Sequence, residues 1–152
     1  DGILAGRLHN AQTAAALDEG VTGNARAVDC TIEPIVRMTT TYIEGGDLDF
    51  DQLIAPIKKG YFIKTIRHGS GMSTFTIAPS LAYEIVDGKL GRPVQISVLT
   101  GSVFETLGLI DGLTKDVTLL SFVTGGCGKM EQMSLPVGFG GPYVRVSSMN
   151  VQ

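Results

Sequence analysis

Cys127 is the residue of this sequence best suited to chemistry. It lies in the segment Gly-Gly-Cys-Gly-Lys (125–129), with a glycine on each side, after an apolar stretch that predicts a strand. Glycine lets the backbone approach a neighbouring segment closely, which would leave the sulfur facing a cleft, where a thiolate can react or bind a metal. The alternative is an inert cysteine, because free cysteine is among the most buried residue types.

Three other polar side chains are weaker candidates. His9 and His68 have no ligand spacing to each other or to Cys127, so a surface or structural role is favoured over metal binding for both. Arg37, in the segment Arg-Met-Thr-Thr-Thr-Tyr, could bind a carboxylate or a peptide end. An ordinary arginine at a strand edge explains it equally well.

Three short patterns fail as functional motifs. The loop at 125–129 is not a phosphate-binding loop, because that loop needs Ser or Thr where Met130 stands. The acids of 47–51 begin like a calcium loop, but Lys58 occupies the position of the bidentate glutamate. The segment 69–71 lacks the spacing of a nucleophile elbow. Nucleotide binding, calcium binding and a serine hydrolase site are therefore not expected.

The composition limits the class of protein. The chain has 152 residues, a formal net charge of −3 and 18% charged residues, against roughly 25% in typical soluble domains. A strongly basic nucleic-acid-binding protein would look different. The low charge content predicts that part of the surface is covered by something else. No apolar stretch is long enough for a membrane span, and no signal-peptide pattern is present, so we expect a soluble, cytoplasmic protein.

Glycine, proline and β-branched residues predict many short strands. The chain holds 20 Gly and 6 Pro, which favours turns over long helices. Helices are expected at 11–19, around 53–57 and at 103–110, where Ser102 and Glu105 have capping-box spacing. Asp87-Gly88 predicts a tight hairpin turn, and 117–123 reads as a strand buried on both faces. We expect one domain over 1–152, α+β and β-dominated, with an antiparallel barrel- or sandwich-like sheet and about three short helices outside it.

Seven segments in order resemble the C-terminal region of the TldD/PmbA family. They are T-G-N-A-R (22–26), P-I-V-R-M-T-T-T-Y-I-E-G-G-D (34–47), I-K-K-G (57–60), A-Y-E-I-V-D-G-K-L-G-R-P-V (82–94), G-S-V-F-E-T-L-G-L-I-D (101–111), G-C-G-K (126–129) and P-V-G-F-G-G-P-Y-V-R-V (136–146). The similarity covers nearly the whole chain.

The resemblance implies a zinc metallopeptidase that cleaves small unfolded peptides. Proteins of this family, once described as modulators of DNA gyrase, pair a metal-bearing TldD-type subunit with a metal-free PmbA (TldE) type. The Gly-Cys-Gly-Lys segment is similar to the metal-bearing type, which implies that Cys127 is a zinc ligand. The family's other ligands are the histidines of a His-Glu-x-x-x-His motif, which is absent here. Arg37, Thr39 and Thr41 are the implied substrate-binding residues, through main-chain pairing with an extended peptide.

The zinc site of this chain is therefore expected to be incomplete. A catalytic zinc generally takes three protein ligands, and one thiolate cannot supply them. The sequence starts with Asp1 and not Met, so we expect a chain excised from a longer polypeptide. The resemblance implies an N-terminal portion carrying the histidines, and a PmbA/TldE-type partner or a homo-oligomer. Two alternatives stay open: a non-catalytic peptide-binding or scaffolding module of the PmbA type, and a domain acting on a nucleic-acid enzyme such as gyrase. Nucleic acid and membrane are not expected as partners.

Overall fold

A computed structural model describes residues 3–152, except for the side chains of 123–125. These residues form two compact units, each built from two stretches of chain. The first unit contains Gly45–Asp116 and Pro142–Gln152, and the second contains Ile3–Glu44 and Val117–Gly141. The expectation of one domain over 1–152 stays a prediction.

The described residues contain three short helices and twelve strands. The helices are α1 (Ala11–Leu17), α2 (Phe50–Ile54) and α3 (Val103–Gly108). The strands are β1 (Ala25–Arg26), β2 (Ile35–Val36), β3 (Thr40–Tyr42), β4 (Lys59–Gly71), β5 (Thr74–Val86), β6 (Lys89–Val94), β7 (Leu99–Ser102), β8 (Ile110–Leu113), β9 (Thr118–Lys129), β10 (Gln132–Gly141), β11 (Val144–Val146) and β12 (Asn150–Val151).

The first unit is a five-stranded antiparallel sheet with an apolar core. Its strand order is β12-β7-β5-β4, with β6 also paired to β5, and β8 and β11 form a separate pair. The predicted Asp87-Gly88 turn is confirmed: both residues have positive φ, 47° and 73°, and they join β5 to β6. Ala82, Ile96 and Leu99 are the buried centre of this core.

The second unit has a mainly polar interior. Its sheet has the order β3-β10-β9, with β3 parallel to β10, and β1 pairs with β2. The buried residues of this unit are Ala14 and Leu135 together with the polar His9, Asn24, Arg37 and Gln132. Hydrogen bonds rather than apolar contacts therefore determine how its segments fit together.

The strand predicted at 117–123 exists but is not buried. It is the start of β9, the outer strand of the three-stranded sheet, and both Leu119 and Leu120 are 53% exposed. Successive residues of a strand point to opposite faces. Both faces of this part of β9 are therefore open, and the prediction that layers cover them was wrong for this chain.

The β-dominated α+β fold class is confirmed. Strands account for 50% of the chain and helices for 12%, and the strand pairs are antiparallel apart from β3 with β10 and the isolated bridge between Leu48 and Thr114. The sheets found between residues 3 and 152 fit the sandwich-like alternative, and none of them closes into a barrel. None of the three described helices is long and apolar enough to cross a membrane.

Candidate functional site

Cys127 lies on the hairpin formed by the end of β9 and the start of β10, residues 126–135, called here the Cys127 hairpin. Its thiol is free and half-buried. Only two pairs, Cys127 with Leu135 and Lys129 with Gln132, keep register inside the hairpin, and a register shift separates them. The strand ladder alone therefore fixes the cysteine weakly, and other contacts must position it.

The two glycines beside Cys127 meet different surroundings. A Cβ on Gly126 would overlap the carbonyl oxygen of Leu135, which belongs to the backbone of the opposite strand. A Cβ on Gly128 would meet only the flexible thioether of Met133. The close backbone approach expected beside the cysteine thus exists at Gly126.

Three side chains bind the hairpin to the segment 25–37. Arg37 donates from one Nη atom to the carbonyl oxygen of Cys127 and from the other to that of Gln132, 3.2 Å away. The Gln132 side chain accepts from the Val28 amide and donates to the Glu33 carbonyl, at 3.2 and 2.9 Å. Lys129 Nζ lies 3.1 Å from the carbonyl oxygen of Val36 and donates to it.

Asn24 fixes the backbone of Arg37 on both sides. The Arg37 amide donates to the Asn24 carbonyl at 2.9 Å, and Asn24 Nδ2 donates to the Arg37 carbonyl at 3.1 Å. Asn24 Oδ1 in turn accepts from the Thr22 hydroxyl at 2.6 Å, and the same hydroxyl accepts from the His9 amide at 2.7 Å. A continuous set of hydrogen bonds thus runs from His9 to Cys127.

His9 has a structural role here. Its ring is 2% exposed, with Nε2 2.6 Å from a carboxylate oxygen of Glu19 and Nδ1 3.0 Å from the hydroxyl of Thr13. Both ring nitrogens are therefore occupied by neighbours on the same local segment. His68 lies on β4, in the first unit, and is exposed.

The second cysteine lies in an exposed turn. Cys30 stands between Asp29 and Thr31 and is exposed. The Thr31 hydroxyl, at 2.6 Å, and its amide, at 2.8 Å, donate to the Asp29 carboxylate. These hydrogen bonds, the hydroxyl first, hold the pKa of Asp29 below its ordinary value.

A groove of about 300 Å³ lies on the second unit next to β3. Arg26 is one of its lining residues and donates to the carbonyl oxygens of Met38 and, at 2.8 Å, Pro136. Pro136 directly follows Leu135, the strand partner of Cys127. The groove is lined by Arg26, Thr39, Thr40, Ser121, Pro136, Val137 and Gly138.

One edge of β3 is open for main-chain pairing among the described residues. The carbonyl of Thr39 and the amide of Ile43 bond to Gly138 and Gly140 of β10, at 3.3 and 3.2 Å. Because backbone groups of alternate residues point to opposite sides of a strand, those of Thr40 and Tyr42 point away from β10. Thr40 and Tyr42 are therefore the residues able to pair with a further strand.

The structure thus brings some of the predicted site residues together. Arg37 is buried and binds the backbone of Cys127, whereas Thr39 and Thr41 are exposed on and beside β3. Their assignment to substrate binding stays a prediction. Sequence reasoning missed the contributions of Asn24, Arg26 and Gln132, although the segment 22–26 stood out in the sequence.

The described residues do not hold a metal by themselves. They contain no group of three or more His, Cys, Asp or Glu side chains that could hold a metal ion. The chemistry of Cys127 fits zinc, because a thiolate is one of its preferred ligands. The assignment of Cys127 as a zinc ligand therefore stays a prediction.

Comparisons with known proteins give a consistent result. Residues 1–152 match the family described as "PmbA/TldA metallopeptidase C-terminal domain". A metalloprotease of Methanothermobacter thermautotrophicus is 39% identical over 154 residues, which cover 99% of this chain and 33% of that protein. A zinc metalloprotease TldD homolog of Saccharolobus solfataricus is 30% identical, covering 99% of this chain and 34% of that protein. The chain therefore spans about a third of the length of these relatives.

A solved structure shares the fold. The crystal structure of TldE from Thermococcus kodakarensis superposes with a TM-score of 0.72 at 18% identity, covering 96% of this chain and 31% of that one. At this identity the likeness concerns the fold alone.

Proposed function

Since the chain belongs to the PmbA/TldD metallopeptidase family as its C-terminal domain, we propose that it supplies the cysteine ligand of a catalytic zinc and one wall of the peptide cleft. One observation carries the proposal: a free, half-buried thiol on a hairpin whose carbonyl is bound by a buried arginine. When bound, the zinc supplies the Lewis acid that activates water for peptide hydrolysis.

The remaining ligands would lie on polypeptide outside this sequence. The relatives are about three times as long as the chain, which leaves room for a His-Glu-x-x-x-His segment there. In the proposed enzyme, Cys127 binds the metal as a thiolate and its hairpin sets the position of the sulfur. The glutamate of that segment would act as the base.

The substrate we propose is a small, unfolded peptide bound in extended form. Support comes from the open edge of β3, where the backbone groups of Thr40 and Tyr42 point away from β10. Main-chain pairing reads the backbone of a peptide more than its side chains, which suits a broad specificity. Thr39 and Thr41 would contribute their exposed side chains at the same edge, next to the groove.

We extend the proposal to assembly and location. Both faces of the start of β9 are open, which suits coverage by the rest of the protein or by a PmbA/TldE-type subunit. Two free cysteines suit a reducing compartment, and we propose the cytoplasm.

The test is Cys127→Ala in the full-length protein. Loss of residues that merely support a metal ligand costs about 10- to 100-fold, so loss of the ligand should reduce kcat/KM for an unstructured peptide by at least about 100-fold. Zinc content, measured by mass spectrometry after dialysis, should fall in parallel. Cys30→Ser is the matched control and should leave both quantities unchanged. Full zinc and full activity in Cys127→Ala would exclude the cysteine from the site.

The non-catalytic alternative, a module of the PmbA type, predicts a different result for this experiment. A scaffolding module would bind extended peptides without retaining zinc and without hydrolysis, whether or not Cys127 is present. The relatives named as metalloproteases, and the presence of Cys127 itself, favour the metal-bearing type.

A further inference from the structure

The carbonyl group of Cys127 is bound by a buried cation. Arg37 is 2% exposed, and its two Nη atoms donate to Cys127 and Gln132, on opposite strands of the hairpin. Its Nε is buried without a hydrogen-bond partner among the described atoms. The guanidinium group of Arg37 therefore binds the two hairpin carbonyls. Hydrogen bonds from a charged donor are stronger than those between neutral groups.

The hairpin needs such a contact to hold a fixed shape. Its ladder is interrupted by register shifts on both sides of Leu135, and Met130 and Ser134 have positive φ, 53° and 62°. A Gly-rich hairpin with interrupted pairing has a weakly specified register, which leaves its side chains free to shift. Arg37 joins its two strands at the level of the cysteine, which removes that freedom.

Arg37 is itself placed by the chain before it. Asn24, which is 6% exposed, bonds both the amide and the carbonyl of Arg37. The arginine is thus fixed at its backbone by one segment and binds another segment with its side chain. This is the arrangement by which neighbouring groups orient a metal ligand.

We propose that Arg37 is a positioning residue for Cys127: it holds the hairpin so that the sulfur meets a metal without rearrangement. The inference rests on the proposed function, since it concerns the same sulfur. It assigns Arg37 to the interior of the site and not to direct contact with substrate.

The experiment uses the full-length protein with Arg37→Met, which keeps the length of the side chain and removes its donors. In metal-free protein, the alkylation rate of Cys127 by iodoacetamide is measured against that of Cys30 in the same molecule, by peptide mass spectrometry. The ratio is expected to change at least about threefold. In zinc-loaded protein, transfer of zinc to a chelator should be about 10- to 100-fold faster.

Arg26→Met is the matched control. Arg26 also donates to two carbonyls of this unit, Met38 and Pro136, but not to Cys127. Both the alkylation ratio and the zinc transfer should stay within about twofold of wild type. A purely structural effect of losing an arginine's bonds to backbone carbonyls would change the alkylation of Cys30 and the folded fraction, and it would do so in both variants alike.

Arg37→Lys gives a second, milder variant that retains the charge and can bond one carbonyl. Zinc transfer from it should fall between wild type and Arg37→Met. If Arg37→Met does not fold, Arg37→Lys decides: at least a threefold faster transfer supports the proposal, and a wild-type rate overturns it. Folded Arg37→Met with wild-type values in both measurements also overturns it.

Failure of the proposed function has a separate result. If Cys127→Ala keeps its zinc while Arg37→Met still changes the alkylation ratio, Arg37 positions a cysteine that is not a ligand. If Cys127→Ala loses its zinc and Arg37→Met changes nothing, the ligand is correct and the positioning role is wrong.

Discussion

At the scale of single residues, the two glycines that flank Cys127 are not equivalent. Gly126 faces the backbone of Leu135, which cannot move without displacing its strand, whereas Gly128 faces the end of the flexible Met133 side chain. The sequence pattern Gly-Cys-Gly suggests symmetry, but the hairpin does not have it. Only the glycine before the cysteine is required by the close approach of two backbones.

Gly126→Ala is therefore expected to destabilise the protein more than Gly128→Ala. Forcing a methyl group into a packed contact costs about 1–3 kcal/mol, and the Leu135 carbonyl leaves it no room. At Gly128 the Met133 thioether can turn aside, so the change should be within about 0.5 kcal/mol. Urea unfolding of both variants measures the difference, and equal midpoints would show that the hairpin adapts freely.

Residue type alone revealed part of this site. Cys127 stood out because its glycine neighbours and its spacing are visible in the sequence. Arg37 stood out as well, but its burial against two carbonyls depends on contacts 90 and 95 residues away along the chain. No local pattern encodes such distances. Asn24 and Gln132 were missed for the same reason, because ordinary polar residues become informative only once they are known to be buried.

At the scale of elements, local sequence patterns located the three helices approximately, but they predicted the helix ends and caps less accurately. α1 is capped by Asn10, whose side chain accepts from the Thr13 amide at 2.8 Å, while the Thr13 hydroxyl accepts from the Asn10 amide at 3.1 Å. α2 covers Phe50–Ile54 and ends before Pro56, so the expectation that this helix continues through Pro56 to about 57 was wrong. The predicted capping box of α3 is wrong, because Ser102 belongs to β7 and makes no cap hydrogen bond.

Asn10→Ala should thus lower the free energy of unfolding by about 1 kcal/mol, the usual contribution of a side-chain cap. Ser102→Ala, at the corresponding position of α3, should change it by less than about 0.5 kcal/mol. Urea or thermal unfolding of the two variants tests the pair. A larger loss for Ser102→Ala would mean that its hydroxyl caps α3 in solution.

For the strand β9, the sequence predicted the type of element but not its burial. Its apolar run correctly indicated a strand, but a run of apolar residues cannot say what covers them. Pairing places β9 at the outside of its sheet, so Leu119, Leu120 and Phe122 remain about half exposed. The low proportion of charged residues predicted only that some part of the surface is covered, and it did not indicate which part.

At the scale of the whole molecule, this open apolar strand predicts self-association of the 152-residue chain. An exposed, apolar outer strand readily pairs with another copy. Sedimentation velocity at increasing concentration should show growing oligomers, and Leu120→Glu should suppress them. Leu107→Glu, which adds the same charge at a comparably exposed site on α3, should not. A chain that stays monomeric at every concentration would show that the exposed edge of β9 does not pair with another copy.

The two units also interleave along the chain, since each is made of two stretches separated by part of the other. The second unit cannot close until residues 132 and 136 are available to Arg37 and Arg26. During synthesis, at about 5–20 residues per second, the segment 3–44 must wait several seconds for its partners. Its exposed leucines and isoleucines would meanwhile be targets for chaperones, and no terminal truncation can release the second unit as one continuous piece.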